Sequence, residues 1–481
     1  MSKLSRRTFL KSAAAAGAAL PLFTIAGTKS SGRVIGANDT IRVGVAGIKG
    51  RGSNHIDELA GRDKVQVTYL IDPDSNLFES RSQQVESRGG NKPKCVQDIR
   101  QALDDKELDA VTIATCNHWH SLITVWACQA EKDVYVEKPI SHNVFEGRKC
   151  VDAAQKYGRV VQHGTQSRSD EGLARQLAAI RSGKYGKLLV SKGYCCKPRW
   201  SIGTKPTSEP SQGFDFNVWL GPAPKQAFHG NLHPYNWHWF WDTGNGDIGN
   251  QGVHQMDIAR WAIEGATLPR SVWSLGGRFL PDGSDQGQTP NMQLAVFDYG
   301  EVLLLFETRG LVGKDGAPEP NVSNEFYTSE GIIRGGRFYP YDGGAAERVE
   351  GGDAKVTPGG AFGSFIAAIR SRDPADNNAD AETAHYSAAL CHLANISYRL
   401  GEPTAFDKQA RSLGDNKQVV ESFAALKDNL RAVKIDLAES TYQLGRTLDF
   451  DAKAESFVMD EEADALLTRD YREPFVVPES V

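Results

Sequence analysis

The sequence predicts an α/β protein in two parts: an N-terminal doubly wound parallel sheet, then an α+β domain rich in strands. Three observations carry this. Short apolar runs alternate with helix-period segments from residue 40 to about residue 165. A glycine-rich turn closes the first of those runs. Beyond residue 165 the alternation stops, and strand patterns broken by Gly and Pro take over.

The first run, Thr40 to Ala46 (TIRVGVA), has the unbroken apolar character of a strand buried on both faces. A helix is expected at Ser53–Ala60, then a strand at Val65–Ile71 closed by Asp72-Pro73. The pattern continues with helix Asp98–Leu103, strand Ala110–Ala114 and helix Ser121–Ala130. Strand Val134–Val136, helix Val144–Tyr157 and strand Arg159–Gln162 complete it. In the second part, helix Leu173–Ile180 precedes strands at Lys187–Tyr194, Ser271–Gly276, Met292–Phe297, Glu301–Glu307 and Ser329–Ile333. Ala361–Arg370 and Ala381–Arg399 are amphipathic helices, and Asp460-Glu461-Glu462 reads as a solvated face of a C-terminal tail. The implied units are 1–37, 38–165, 166–445 and 446–481.

Bulk composition narrows the function. The chain has 481 residues, 40% hydrophobic and 24% charged, with net charge −5, and its Lys and Arg are spread along the chain. That distribution gives no footprint for nucleic acid. Seven cysteines, an odd number without repeated spacing, make a poor disulfide framework and read as small buried hydrophobes. Ser5-Arg6-Arg7-Thr8-Phe9-Leu10-Lys11 followed by the apolar run Ala13–Phe23 reads as a twin-arginine export signal, too short to span a membrane. Cleavage near Ala26 or Ala37 fits equally, and no membrane span is expected once the signal is removed.

Four constellations carry chemistry. Gly47, Ile48, Lys49, Gly50 and Arg51 lie between a strand and a helix, where a glycine turn lets backbone N–H groups meet a pyrophosphate. Taking Gly47 and Gly52 as the outer glycines of G-x-G-x-x-G leaves Lys49 in the middle place, where its side chain either crowds a phosphate or pairs with one. Asp72, at the end of the second strand, can accept from ribose hydroxyls and repel a 2′-phosphate, favouring NAD over NADP. Thr115, Asn117, His118, Trp119 and His120 leave the third strand at the carboxyl edge of the sheet, where ligands bind. No third ligand follows the two histidines at metal spacing, so no metal is expected.

Glu137-Lys138-Pro139 follows another strand, and a lysine there can have a lowered pKa and move a proton. Last come Trp237, Trp239 and Trp241, then Asn250, His254 and Asp257. Aromatic faces stack on sugar C–H faces, while Asn, His and Asp take hydroxyls. On a strand the three tryptophans would share one face and Phe240 the other, so the four aromatics cannot all enter one core, and a cleft or an interface is expected to take the rest. Asn250 and His254 share a helix face if the helix begins there, and His254 is the best candidate acid–base.

Together, the glycine turn, Thr115-x-x-His118-x-His120, Glu137-Lys138-Pro139 and Gly252-x-His254-x-x-Asp257 resemble the Gfo/Idh/MocA family of sugar and polyol oxidoreductases. The resemblance spans about residues 40–261, and the segment 381–401 also fits it. It implies a Rossmann NAD(P)-binding domain followed by a substrate domain with an open, mainly antiparallel sheet. It also implies Lys138 and His254 as the catalytic pair, with His120 near substrate or nicotinamide. The sequence departs from the pattern at Lys49, in place of the middle glycine, and at Asn250, in place of the usual Asp four residues before the histidine.

The expectation is hydride transfer at a ring carbon of a sugar, polyol or glycoside. An exported enzyme meets little free nucleotide, so NAD should be tightly held and recycled in place. Redox-neutral glycoside cleavage, by oxidation, elimination and re-reduction, is the alternative, and a non-catalytic NAD-containing binding protein a remoter one. An open sheet face would suit a homo-oligomer.

Overall fold

The computed structural model describes residues 39–281, 283–314, 316–407 and 413–481; the export signal and both candidate cleavage positions lie outside them. The first sheet contains β1 (Ile41–Ala46), β2 (Val65–Ile71), β3 (Lys94–Val96), β4 (Ala110–Ile113), β5 (Asp133–Val136) and β6 (Val161–His163). They are all parallel, in the order β3-β2-β1-β4-β5-β6. This is the doubly wound order whose chain reversal, between β1 and β4, opens a ligand crevice at the carboxyl edge.

Helices α1 (Gly50–Leu59), α2 (Phe78–Gly89), α3 (Ile99–Leu103), α4 (Asn117–Gln129) and α5 (Val144–Tyr157) cover the sheet. Helix α5 has a clear start and stop: Asn143 Oδ1 accepts from Glu146 N at 2.8 Å, and Gly158 ends it at φ +58°. Strand β3 and helix α2 escape the sequence reading because both are polar, with only Ser82 and Val85 of α2 buried.

The second domain contains α6 (Glu171–Arg181), β7 (Leu188–Cys196), α7 (Phe216–Leu220) and α8 (Val253–Trp261). Its next strands are β8 (Ser271–Gly277), β9 (Met292–Asp298), β10 (Leu303–Arg309), β11 (Asn321–Thr328), β12 (Gly331–Arg334), β13 (Arg337–Pro340) and β14 (Glu347–Arg348). Then follow α9 (Gly360–Ser371), α10 (Ala381–Arg399), β15 (Glu402–Ala405), α11 (Lys417–Ala432), β16 (Thr441–Leu444) and β17 (Leu448–Asp451). The sheet runs β14-β13-β12-β11-β7-β10-β9-β8-β16-β15, antiparallel throughout except for β7 beside β10. One face packs on α8 and α10 through Val253, Met256 and Leu390. The other face is covered near β8–β10 by Val419, Phe423, Leu426 and Leu430 of α11. Helix α11 thus buries this part of the sheet face within the chain.

The two domains share their cores. Ala384 and Ala388 of α10 sit in the Rossmann core, while Leu390, Leu393 and Ala394 one turn on sit in the core of the second domain. Alanines let α5 and α10 approach so closely that a Cβ on Gly147 would stand 2.4 Å from His385 Nδ1. Helix α9 returns Phe362, Phe365 and Ile369 to the other side of the parallel sheet. The last residues are no loose tail: β17 pairs with β8, and Phe475 and Val477 enter the Rossmann core. The cleft between the domains is thus held by a continuous apolar body.

Candidate active site

The cleft begins where β1 turns into α1. Gly47 has φ +77°, and a Cβ there would meet the backbone of Ala114 and Thr115 at 2.6 Å. A Cβ on Gly52 would stand 1.6 Å from Gly47 O. Only glycine fits either place, because the turn presses against the end of β4. Gly50, by contrast, has open space before it. Helix α1 starts at Gly50 without a side-chain cap, so its leading N–H groups await a ligand or water. Lys49, Gly50 and Arg51 all line the cleft at this end.

Asp72 lines the cleft from the end of β2 and also staples the turn. Its carboxylate accepts from Ile48 N and from Asp74 N, both at 2.9 Å. Burial pushes its pKa up to about 6 against those two hydrogen bonds. Ile48, expected beside the cofactor, instead has its side chain fully buried in the Rossmann core, with its N–H on Asp72 and its carbonyl accepting from Arg81 Nε at 2.9 Å. Each Asp72 oxygen keeps a second lone pair for a ribose hydroxyl.

Helix α4 begins at Asn117, not at Ser121 as the sequence suggested. That shift decides which polar residues face the cleft. Asn117 and His120, three apart, line it together with Thr115 at the strand end. His118 is turned away: its Nδ1 lies 3.1 Å from Thr243 O and its Nε2 2.9 Å from Trp219 O. The expected substrate role of His118 is therefore corrected to a buried tie, its pKa pushed down to about 3 by burial. Trp119 lines the cleft, yet its Nε1 donates to Trp219 O at 2.9 Å. His120 braces the backbone, with Nδ1 2.6 Å from Pro139 O and Nε2 3.1 Å from Thr115 O.

After β5, Glu137 accepts from Arg51 Nε at 2.8 Å and Gln166 Nε2 at 3.1 Å, with His55 Nε2 at 3.2 Å. Burial alone would raise its carboxyl pKa; His55 and Arg51 overcome burial and hold it far below the usual range. Glu137 thus links the glycine turn to the next residue, Lys138. Lys138 is half-buried, and its ammonium donates to the carbonyl of Asn250. Burial pushes its pKa down, against the opposing pull of Glu137 and Asp247.

Asn250 belongs to a single π-helical turn, Ile248–Gly252, that leads into α8. His254 stands one turn later and lines the cleft, and its ring has no hydrogen-bond partner among the described residues. Burial, helped by the nearby Lys138 charge, pushes its pKa down to about 4. Asp257 lies deeper. It is 1% exposed, bound by Arg168 Nε at 2.9 Å to both oxygens and by Ser387 Oγ at 2.6 Å. Its expected substrate contact is corrected to a buried ion pair that anchors α8.

The tryptophan run is not a strand but a 3₁₀ turn, Asn236–Trp239, so its side chains spread in three directions. Trp237 lines the cleft. Trp239 instead packs in a small core with Phe214, Trp219 and Phe240, and Trp241 lies under the Arg399 guanidinium at 5.3 Å. Both are corrected to structural roles. The cleft also takes Gln97, Gln166, Trp219, His233 and Tyr235, which the sequence reading missed. Gln97 follows β3 at the carboxyl edge, a place that the topology could have flagged. His233 and Tyr235 carried only an aromatic-rich local composition as a signal.

The cavity so enclosed measures about 570 Å³ and runs from the glycine turn to Lys138 and His254. Fold and cleft together define a two-domain α/β protein of the dinucleotide-binding class. Residues 41–165 match the model of the oxidoreductase family with an NAD-binding Rossmann fold, and residues 219–331 that of the GFO/IDH/MocA C-terminal domain. The chain belongs to the Gfo/Idh/MocA family. Residues 3–20 match the twin-arginine signal sequence, which directs the chain to that export route.

Among curated relatives, a glycosyl hydrolase family 109 protein of Shewanella pealeana is 29% identical over 220 residues, 42% of this chain and 48% of the relative. An inositol 2-dehydrogenase of Salmonella typhimurium is 30% identical over 156 residues, 32% of this chain and 45% of the relative. The chain thus spans about half the length of the curated relatives it matches. Among solved structures, the WlbA dehydrogenase of Bordetella pertussis, in complex with NADH and UDP-GlcNAcA, aligns with TM-score 0.52 at 17% identity, over 74% of this chain and 96% of that one. GenD2 from gentamicin A biosynthesis, in complex with NAD, aligns with TM-score 0.53 at 15% identity, over 75% of this chain and 95% of that one. At such identities the likeness is one of fold.

Proposed function

We propose that the protein is an NAD(P)-dependent oxidoreductase acting at a ring carbon of a sugar, polyol or glycoside, with its nucleotide tightly held. The observation that carries this is the meeting of Lys138 and His254, from different domains, at the end of a cleft that begins at a glycine-forced turn. The residues fit the nucleotide. The uncapped start of α1 and the open space at Gly50 suit a pyrophosphate, and Asp72 suits a ribose diol and disfavours a 2′-phosphate. NAD is therefore preferred to NADP, and when bound it supplies the hydride acceptor.

The protein's own groups handle the proton. His254 is neutral at pH 7, with its pKa near 4, and can accept a hydrogen bond from a substrate hydroxyl. Lys138, with its pKa lowered by burial, can take the hydroxyl proton and return it. Asn250 can orient a hydroxyl but cannot carry a proton. Trp237, which lines the cleft, offers a sugar ring an apolar surface.

A second reading, redox-neutral glycoside cleavage, is favoured by the relative named as a glycosyl hydrolase family 109 protein and by the export signal. The test is to add a panel of sugars and glycosides to purified protein while following NADH absorbance and product masses. Lasting absorbance identifies the dehydrogenase, and cleavage without it the second reading. No change with any compound would leave a nucleotide-containing binding protein and sink both.

A further inference from the structure

The glycine turn makes one wall of the cleft; the facing wall is a segment of the second domain. Residues 211–241 leave that domain, cross the carboxyl edge of the Rossmann sheet and return before α8. Val218, Trp219, His233 and Pro234 line the cleft from this side. His233 stacks on Phe214 with ring centroids 4.4 Å apart, and its charge environment includes Lys49 and Asp74. It therefore stands opposite the glycine turn, above the region suited to pyrophosphate and ribose.

This wall is fastened in two places. At the ribose end, Phe214 forms a β-bridge with Asp74, and Ser75 N donates to Gly213 O at 3.0 Å. Asp215 N donates to Pro73 O at 2.8 Å, and Asn76 Nδ2 to Gln212 O at 2.8 Å. At the other place, His118 and Trp119 both contact Trp219 O at 2.9 Å. There the wall runs so close that a Cβ on Gly221 would stand 2.2 Å from Trp119 Cε2. Arg472, from the C-terminal segment, clamps the same stretch by donating to Asn217 Oδ1 and Asn217 O at 2.7 Å each and to Gly221 O at 3.0 Å.

We propose that residues 211–241 form the outer wall of a nicotinamide-dinucleotide site and that the nucleotide exchanges only when this wall lifts from the Rossmann edge. The inference rests on the proposed nucleotide binding and adds its retention device. His118 and Trp119, which the sequence offers as substrate ligands, act as fasteners of the wall. Asn76 and Arg472 set how often it lifts, and neither side chain lines the cleft.

The test loads the full protein with NAD, exchanges it against isotopically labelled NAD, and reads the bound nucleotide by mass spectrometry over time. The doubly substituted Asn76→Ala/Arg472→Ala protein should exchange roughly tenfold faster than the parent, as expected from losing a charged hydrogen-bonded clamp. Its wall should also be cut faster by protease, while thermal unfolding stays cooperative. If the double variant does not fold, Asn76→Ala alone, at an exposed residue, gives the same reading in smaller measure. Equal exchange times in parent and variant overturn the inference. A parent that binds NAD but exchanges it within mixing time also overturns it, leaving the nucleotide reading intact. A parent that binds no nucleotide ends both.

Discussion

The wall at Gly47–Gly52 and the wall at 211–241 hold the same cleft by different means. The first is backbone against backbone, fixed by two glycines that tolerate no Cβ. The second is a loop with its own small aromatic core, tied down by a few backbone bonds to residues 73–75 and by side chains from α4 and from the last residues of the chain. A defect in the first removes the shape of the phosphate site, whereas a defect in the second leaves the site formed and loosens its cover. The same contrast separates two histidines, His254 half-buried and His118 fully buried. His254 keeps its ring toward the cleft, while His118 has each ring nitrogen beside a carbonyl.

The largest effect is expected from Gly52→Ala. The added methyl collides with Gly47 O, so the purified variant should contain and bind no nucleotide, as read by absorbance after denaturation. Retained binding would break the contrast between the walls. Next, Lys138→Ala should lower turnover by about 10³-fold and His254→Gln by about 10²-fold, with nucleotide content unchanged. Should either variant keep its turnover, the residue is not part of the proton path.

His118→Asn should cost about 1–3 kcal/mol of stability in denaturant unfolding, because it leaves buried carbonyls short of a partner. It should also speed nucleotide exchange. A turnover loss as deep as that of His254→Gln would instead assign His118 to chemistry. A further effect concerns pH. In the folded protein His118 stays neutral down to about pH 3 and His254 down to about pH 4, against 6.5 when unfolded. Below pH 6.5 only the unfolded chain takes up their protons, so stability falls as pH drops toward 4 and is unaffected by them above 6.5. Thermal midpoints from pH 7 to pH 4 should decline, and less steeply in His118→Asn. An equal slope in the variant would contradict the buried neutral histidine.

Much of the cleft was legible in the sequence because its signals are local. The glycine turn, Asp72 at a strand end and the Glu137-Lys138-Pro139 segment each follow an apolar strand, and strand ends in a parallel sheet share one edge. The parallel first sheet follows from the same alternation of strands and helices, whereas the mostly antiparallel second sheet was implied only by the family resemblance. What failed was phase. Starting α4 four residues earlier turns His118 away from the cleft into the protein interior, and a 3₁₀ turn in place of a strand scatters Trp237, Trp239 and Trp241. Asp257 carries the right residue type at a plausible spacing, but its partners Arg168 and Ser387 come from remote segments. The facing wall was invisible for the same reason: its ties to Asp74, Trp119 and Arg472 join distant parts of the chain without any local pattern.

The most direct measurement is to purify the exported protein, denature it and identify the released nucleotide by mass spectrometry. Near-stoichiometric NAD or NADH is the expected result, and it would support a nucleotide enclosed between two walls with Lys138 and His254 at its reactive end. A protein that releases no nucleotide and also fails to bind added NAD or NADP would contradict the account, leaving the glycine turn as architecture alone.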